Sequence, residues 1–203
     1  MLSALDALAQ LRDGNRRFAA DQSGRGALSS RRQEVATGQN PFAIILGCSD
    51  SRVPAEIIFD QGLGDLFVIR VAGNIVAPSQ VASVEFAAEQ FGTRLVVVVG
   101  HSNCGAITAT LDDIARHPSE RSRHLGSIVD RIRPSVEPLL EQGNGRDRAT
   151  LIQQAVRANI RVSADHLRHG SVVLERMIRD HGLLVVGAEY DLETGLVDFF
   201  DGV

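Results

Sequence analysis

The chain has 203 residues, 44% of them hydrophobic, and a formal net charge of −4: enough for one sizeable domain and too few for two. The acidic balance argues against a dedicated nucleic-acid binder, and no run of about 18 apolar residues is present to span a membrane. All 21 basic residues are Arg, which removes lysine chemistry, both the Schiff base and the P-loop amine; the arginine bias itself reads as genomic base composition.

Leu2, Leu5, Leu8, Leu11 and Phe18 recur at helical spacing, so residues 2–20 read as an amphipathic helix. Residues 21–33, rich in Gly, Ser and Arg, read as a loop leading into a short helix. Four apolar runs follow as buried strands, at 42–47, 65–71, 95–99 and 183–186. Continuous apolar strands are covered on both faces, the mark of a mostly parallel sheet. Helical patterns fill 79–91, opened by Pro78 and Ser79, then 104–115, and two stretches within 148–180 broken near Gly170 and Ser171. Residues 116–147 are polar, carry three prolines and read as a short helix mixed with loops, with a surface loop at Gly143–Asn144–Gly145. The run 195–200 closely follows the turn residues 191–195, which suits a hairpin with an antiparallel edge strand. The fold class is therefore α/β: a four-stranded parallel sheet flanked by helices, an added antiparallel edge strand, and an N-terminal helical arm over residues 1–35 of a single domain, 1–203.

The only two cysteines lie in the two most distinctive segments, Cys48-Ser49-Asp50-Ser51-Arg52 and His101-Ser102-Asn103-Cys104. Each segment follows a buried strand by one or two residues. In an open parallel sheet, ligands bind beyond the carboxyl ends of strands at a switch in strand order, so adjacent strands there would bring Cys48 and His101 together. Cys104 then opens a helix, whose N-terminus favours a thiolate. Two thiolates and one imidazole make the ligand set of a catalytic zinc site with its fourth position open. Asp50 and Arg52 stand where they could steer a metal-activated water. The bland alternative is two buried structural cysteines, a core histidine and an ordinary loop ion pair. Two cysteines make no disulfide framework, and residues 1–10 show no signal peptide. The expected location is cytoplasmic, or periplasmic if an export signal has been removed.

These segments resemble the β-class carbonic anhydrases, whose signature is Cys-x-Asp-x-Arg followed about fifty residues later by His-x-x-Cys. The similarity extends through Val53-Pro54-Ala55, residues 64–70, Ala72-Gly73-Asn74 and Gly100-His101-Ser102. It implies that Cys48, His101 and Cys104 hold one Zn²⁺ per chain, that Asp50 and Arg52 are a catalytic dyad, and that a zinc-bound hydroxide hydrates CO2 reversibly to bicarbonate and a proton. It further implies a substrate pocket of Gln39, Phe67, Ala72, Phe86 and the Gly105 N–H, at the interface of a homodimer or homotetramer. Gln39 would come from the partner, as in plant-like members, and Phe86 stands where those have tyrosine. In that assembly the N-terminal arm packs on the neighbouring subunit, although its apolar stripe of Leu2, Leu5 and Leu8 fits its own domain equally well. A second subtype has an allosteric bicarbonate site of Trp, Arg and Tyr; here Arg70 and Tyr190 match but Ile45 replaces the Trp, so the resemblance implies the constitutively open form. Rival readings are a carbonyl sulfide or carbon disulfide hydrolase on the same site, and a non-catalytic zinc-binding regulatory protein. A nucleotide-binding protein is disfavoured, because no G-x-G-x-x-G follows the first strand. No residue stands out as the proton shuttle: His124, His166, His169 and His181 read as surface or packing histidines, and Asp60 and Asp65 as loop acids.

Overall fold

The structure is a computed structural model that describes residues 2–24, 28–115, 123–141 and 147–203. Strands β1 (Ala43–Gly47), β2 (Leu66–Arg70), β3 (Leu95–His101), β4 (Leu184–Tyr190) and β5 (Val197–Asp201) form one sheet in the order β2-β1-β3-β4-β5. The first four are mutually parallel, and β5 runs antiparallel to β4 at the edge. Every residue of β1 and β3 is buried, as strands covered on both faces require. Helices α1 (Ala4–Ala19), α2 (Leu28–Glu34), α3 (Ala55–Ile58), α4 (Pro78–Gln90), α5 (Gly105–Ala115), α6 (Arg123–Glu141), α7 (Arg148–His169) and α8 (Val172–His181) surround the sheet, and a 3₁₀ turn (Ala72–Asn74) follows β2. Each fully buried Ile, Leu or Val of β1 and β3 contributes roughly 1.5–3 kcal/mol, so this sheet centre is the most firmly held part of the molecule.

The chain leaves β1 for β2 on one side and then crosses to β3 on the other. The strand order therefore switches between β1 and β3, and the first cysteine and the histidine lie at that switch. The break between α7 and α8 has a local cause: the Ser171 hydroxyl accepts from Leu174 N at 3.1 Å and starts a new helix. Gly182, with φ of 68°, ends it.

The structure corrects three expectations. The segment read as a short helix with loops holds α6, 19 residues long with Pro134 and Pro138 inside it. Val129, Ile132 and Val136 recur on one face and are buried, and that burial outweighs the two missing N–H donors. The loop at 143–145 lies outside the described residues. Strand β3 runs through His101 rather than ending before it, and β4 through Tyr190. Asp60 is a buried acid, not a solvated one: it accepts from Arg17 Nε at 2.7 Å and Ser23 Oγ at 2.5 Å.

The N-terminal helix docks on its own domain through part of its apolar stripe. Leu8 and Leu11 are buried there, whereas Leu2 and Leu5 remain exposed. Gly14 lets the helix approach closely, because a Cβ there would lie 1.9 Å from the Phe59 carbonyl oxygen. The next residue, Asn15, donates to the carbonyls of Ile58 (3.0 Å) and Gly195 (2.9 Å) and accepts from Val197 N (2.8 Å). No helix among the described residues is long and apolar enough to cross a membrane.

Candidate active site

Cys48 follows the last residue of β1, and the loop it opens is pinned from β2. Arg70 donates through Nε to the Cys48 carbonyl at 3.0 Å and through Nη2 to the Asp50 carbonyl at 2.7 Å. The Gly73 N–H points at Cys48 Sγ, 3.3 Å away. Gly73 sits at φ 70°, ψ 19°, and a Cβ there would meet Ile132 Cδ1 at 2.8 Å; both facts restrict the position to glycine. His101 is fully buried at the end of β3. Its Nδ1 lies 2.9 Å from the Ser102 carbonyl oxygen, which assigns the proton to Nδ1 and leaves the lone pair on Nε2. Asn103 turns the chain with φ of 54°, and Cys104 comes immediately before α5.

The ligand atoms of Cys48, His101 and Cys104 lie within 4.8 Å of one another, and all three residues are buried. His101 Nε2 is buried without a hydrogen-bond partner, an arrangement that is costly unless the atom coordinates something. The neighbouring Cys104 thiol, with the Gly73 and Asp50 backbone N–H groups, outweighs burial and holds the Cys48 thiol down to about 4. The contact with Cys48, together with burial, drives Cys104 up. Two sulfurs and an imidazole on one small volume fit a soft divalent cation.

Beside this cluster, Arg52 grips Asp50 with two parallel bonds, Nε–Oδ1 and Nη2–Oδ2, both 2.8 Å, and its backbone N–H adds a third at 3.0 Å. These bonds hold Asp50 well below the usual carboxylate range. Asp50 Oδ2 lies 3.8 Å from His101 Nε2, so the carboxylate faces the ligand cluster while Arg52 faces solvent.

The remaining expected pocket residues are more dispersed. Phe67 and Phe86 touch, with centroids 6.1 Å apart, and both stack with Phe91, a residue that sequence reading missed. Phe86 is 52% exposed. Ala72 opens the 3₁₀ turn, half-buried, and Gly105 is exposed at the first turn of α5. Gln39 is exposed in the segment before β1. Ile45 and Arg70 line a small cavity beneath Cys48 with Val53, Ile58 and Val68. Tyr190 packs instead against Phe18, at 6.4 Å, and the Arg70 guanidinium is engaged by the two loop carbonyls. His124, His166, His169 and His181 are exposed. A wider groove of 690 Å³ adjoins Ser102 and Asn103, but its acids have partners: Glu189 and Asp198 pair with Arg157, and Asp191 with Thr194.

The carbonic anhydrase family model matches residues 43–197. Carbonic anhydrase 2 of Mycobacterium tuberculosis is 37% identical over 186 residues, covering 91% of this chain and 87% of that protein. A carbonic anhydrase of Pseudomonas aeruginosa is 34% identical, covering 94% and 86%. Among solved structures, a β-carbonic anhydrase of Aspergillus fumigatus superposes with a TM-score of 0.76 at 27% identity, covering 98% of this chain and 91% of that one. The family match, the sequence relatives and the shared fold agree with the buried Cys–His–Cys cluster, and the chain belongs to the β-carbonic anhydrase family of enzymes.

Proposed function

We propose that this enzyme catalyses CO2 + H2O ⇌ HCO3⁻ + H⁺ with one Zn²⁺ per chain held by Cys48, His101 and Cys104. The observation that carries the proposal is the three-donor cluster within 4.8 Å, flanked by an acid that Arg52 holds ionised. Zinc supplies a Lewis acid that lowers the pKa of a coordinated water from 15.7 toward neutrality, less far with two thiolates than with three histidines. Asp50 Oδ2 accepts the hydrogen bond of the attacking water and turns its lone pair toward the CO2 carbon. Arg52 fixes the carboxylate by a bidentate, charge-assisted pair. So firmly ionised an acid is a poor proton acceptor at neutral pH, so Asp50 orients the nucleophile and does not carry the released proton away.

The substrate pocket is formed by Phe67, Ala72, Phe86 and the Gly105 N–H, with Gln39 donating to bicarbonate from a second copy of the chain. The exposure of Phe86 beside the edge strand β2 supports an assembly, a homodimer or homotetramer, in which that face is covered.

Stopped-flow CO2 hydration on protein of verified zinc content is the test. Activity that rises from neutral to alkaline pH supports the reading. Inactivity at every pH with zinc bound overturns it and transfers the site to carbonyl sulfide or carbon disulfide hydrolysis, or to a non-catalytic role.

A further inference from the structure

We propose that Asn159 is a positioning residue for the Cys48 sulfur and acts through Gly73. The inference rests on Cys48 being a metal ligand, and not on CO2 as the substrate. Asn159 lies in α7, only 1% exposed, with Val156, Ile160 and Ser163 on the same buried helical face. A leucine of similar shape would fill that place without the cost of burying an amide. The amide makes one hydrogen bond, Nδ2 to the Gly73 carbonyl at 2.8 Å, and its Oδ1 is buried without a partner.

The target of that bond is what gives it meaning. Gly73 and Asn74 are successive left-handed residues, with φ of 70° and 43°. A glycine with a loose carbonyl samples many conformations, and its N–H would swing with it. The N–H and the carbonyl of Gly73 belong to successive peptide planes hinged at one Cα, so anchoring the carbonyl holds one side of that hinge and, with φ and ψ kept at 70° and 19°, narrows where the N–H can point. That direction is toward Cys48 Sγ, 3.3 Å away. Ile132 and Ala106 wall the opposite side, 2.8 and 3.1 Å from where a Cβ would stand. An N–H donated to a metal thiolate withdraws charge from sulfur and weakens its donation to the metal. With two thiolates in the ligand set, this hydrogen bond offsets part of their charge and keeps the metal a stronger Lewis acid.

The experiment compares the whole wild-type protein with Asn159→Leu, both loaded with cobalt(II). The sulfur-to-cobalt charge-transfer band and the cobalt affinity, from chelator competition, are read beside the thermal midpoint. The expected result in Asn159→Leu is a band at longer wavelength, from a more electron-rich sulfur, and an affinity about 10-fold lower, because the sulfur is no longer held in place for the metal. A variant that melts earlier but keeps the wild-type band and affinity would reduce Asn159 to a structural residue and overturn the proposal. Should Asn159→Leu not fold, the wild type decides alone: after ¹¹³Cd substitution, the Gly73 amide proton couples to the cadmium through Sγ and exchanges slowly. A fast-exchanging, uncoupled Gly73 amide overturns the proposal. Wild-type protein without a thiolate-to-cobalt band overturns the metal reading of Cys48, and this inference with it.

Discussion

The two loops that bring sulfur to the site follow neighbouring parallel strands, yet different means hold them in place. The loop after β1 bends away toward solvent through Asp50 and Arg52, and its own bonds, from Arg52 to the Asp50 carboxylate and from Val53 N to the Asp50 carbonyl, shape its turn without tying it to the sheet. Distant groups do so: the Arg70 guanidinium on two carbonyls and the Gly73 N–H on the sulfur. The loop after β3 is short and continues straight into α5. Its backbone is held by the next strand, Ser102 N to the Tyr190 carbonyl at 3.0 Å, and the Ser102 hydroxyl accepts from Leu192 N at 2.9 Å. One ligand loop is therefore built from long-range side-chain contacts and the other is an extension of the sheet. The loop that carries the acid and the arginine is the one that needed pinning.

Substitutions can break this comparison in graded steps. The largest effect is expected from Cys104→Ser, which removes one donor of the three-donor site that both loops build. It should lose stoichiometric zinc on dialysis and all activity with it; full zinc retention, by metal analysis, would sink the ligand assignment. Asp50→Ala leaves the ligands in place. It should keep its zinc while kcat/KM for CO2 falls about 10²–10³-fold, and undiminished hydration would refute the orienting role. The sign of its pH dependence follows from Arg52 holding the Asp50 carboxyl well below the usual carboxylate range. Stability from the ionised form is present above the unfolded value of about 3.9 and is lost only as pH falls through the lower folded value. The difference in thermal midpoint between wild type and Asp50→Ala should therefore be constant between about pH 5 and 8.

A paired measurement sharpens the contrast between the loops. Arg70→Leu should weaken zinc about 10-fold in chelator competition, because it frees the carbonyls on either side of the first ligand loop. Ser102→Ala should cost about 1 kcal/mol of stability and leave zinc affinity within about threefold of wild type, since the backbone still holds its loop. Equal losses of affinity would erase the distinction. The smallest effect is expected from Glu189→Gln, beyond the second loop. Burial raises the Glu189 carboxyl despite the nearby Arg157, 3.4 Å away. A raised folded value means that the favourable contribution exists below the unfolded pKa and is lost as pH rises. At neutral pH the charge is then a liability, and the glutamine variant should melt at the same temperature or about 2–4 °C higher; a marked fall in its melting temperature would contradict this account.

Cys48, His101 and Cys104 were legible in the sequence because they sit at or just beyond the ends of continuous apolar runs, and the rule for parallel sheets says where such runs deliver their ends. Asp50 and Arg52 were legible through their spacing from Cys48. Arg70 was visible as a charge at the end of a strand and as a match to one member of the second subtype's allosteric site; its bonds to the Cys48 and Asp50 carbonyls depend on β2 lying beside β1, which spacing does not encode. Gly73 reads as a turn glycine, and only its positive φ beside a sulfur shows what the turn is for. Helix α6 was misread because Pro134 and Pro138 signal a break in isolation, while the buried face of Val129, Ile132 and Val136 carried the contrary signal more weakly. The burial of Asp60 was hidden for the same reason as the Arg70 clamp, since its partners Arg17 and Ser23 come from a distant segment.

The bonds of Asn15 have a consequence for the order in which the protein is completed. They tie α1 to Gly195 and Val197, 180 and 182 positions further along. During synthesis α1 leaves the ribosome long before the β4–β5 hairpin exists, and its buried face waits without its final neighbours. Contacts at this separation form late, because the loop they close is nearly the whole chain. The hairpin is seated only when that closure occurs, and Ser102, which it holds, lies beside His101. A chain stalled before β4 would thus have β1, β2 and β3 formed while the loop beside His101 still lacked its Tyr190 and Leu192 partners.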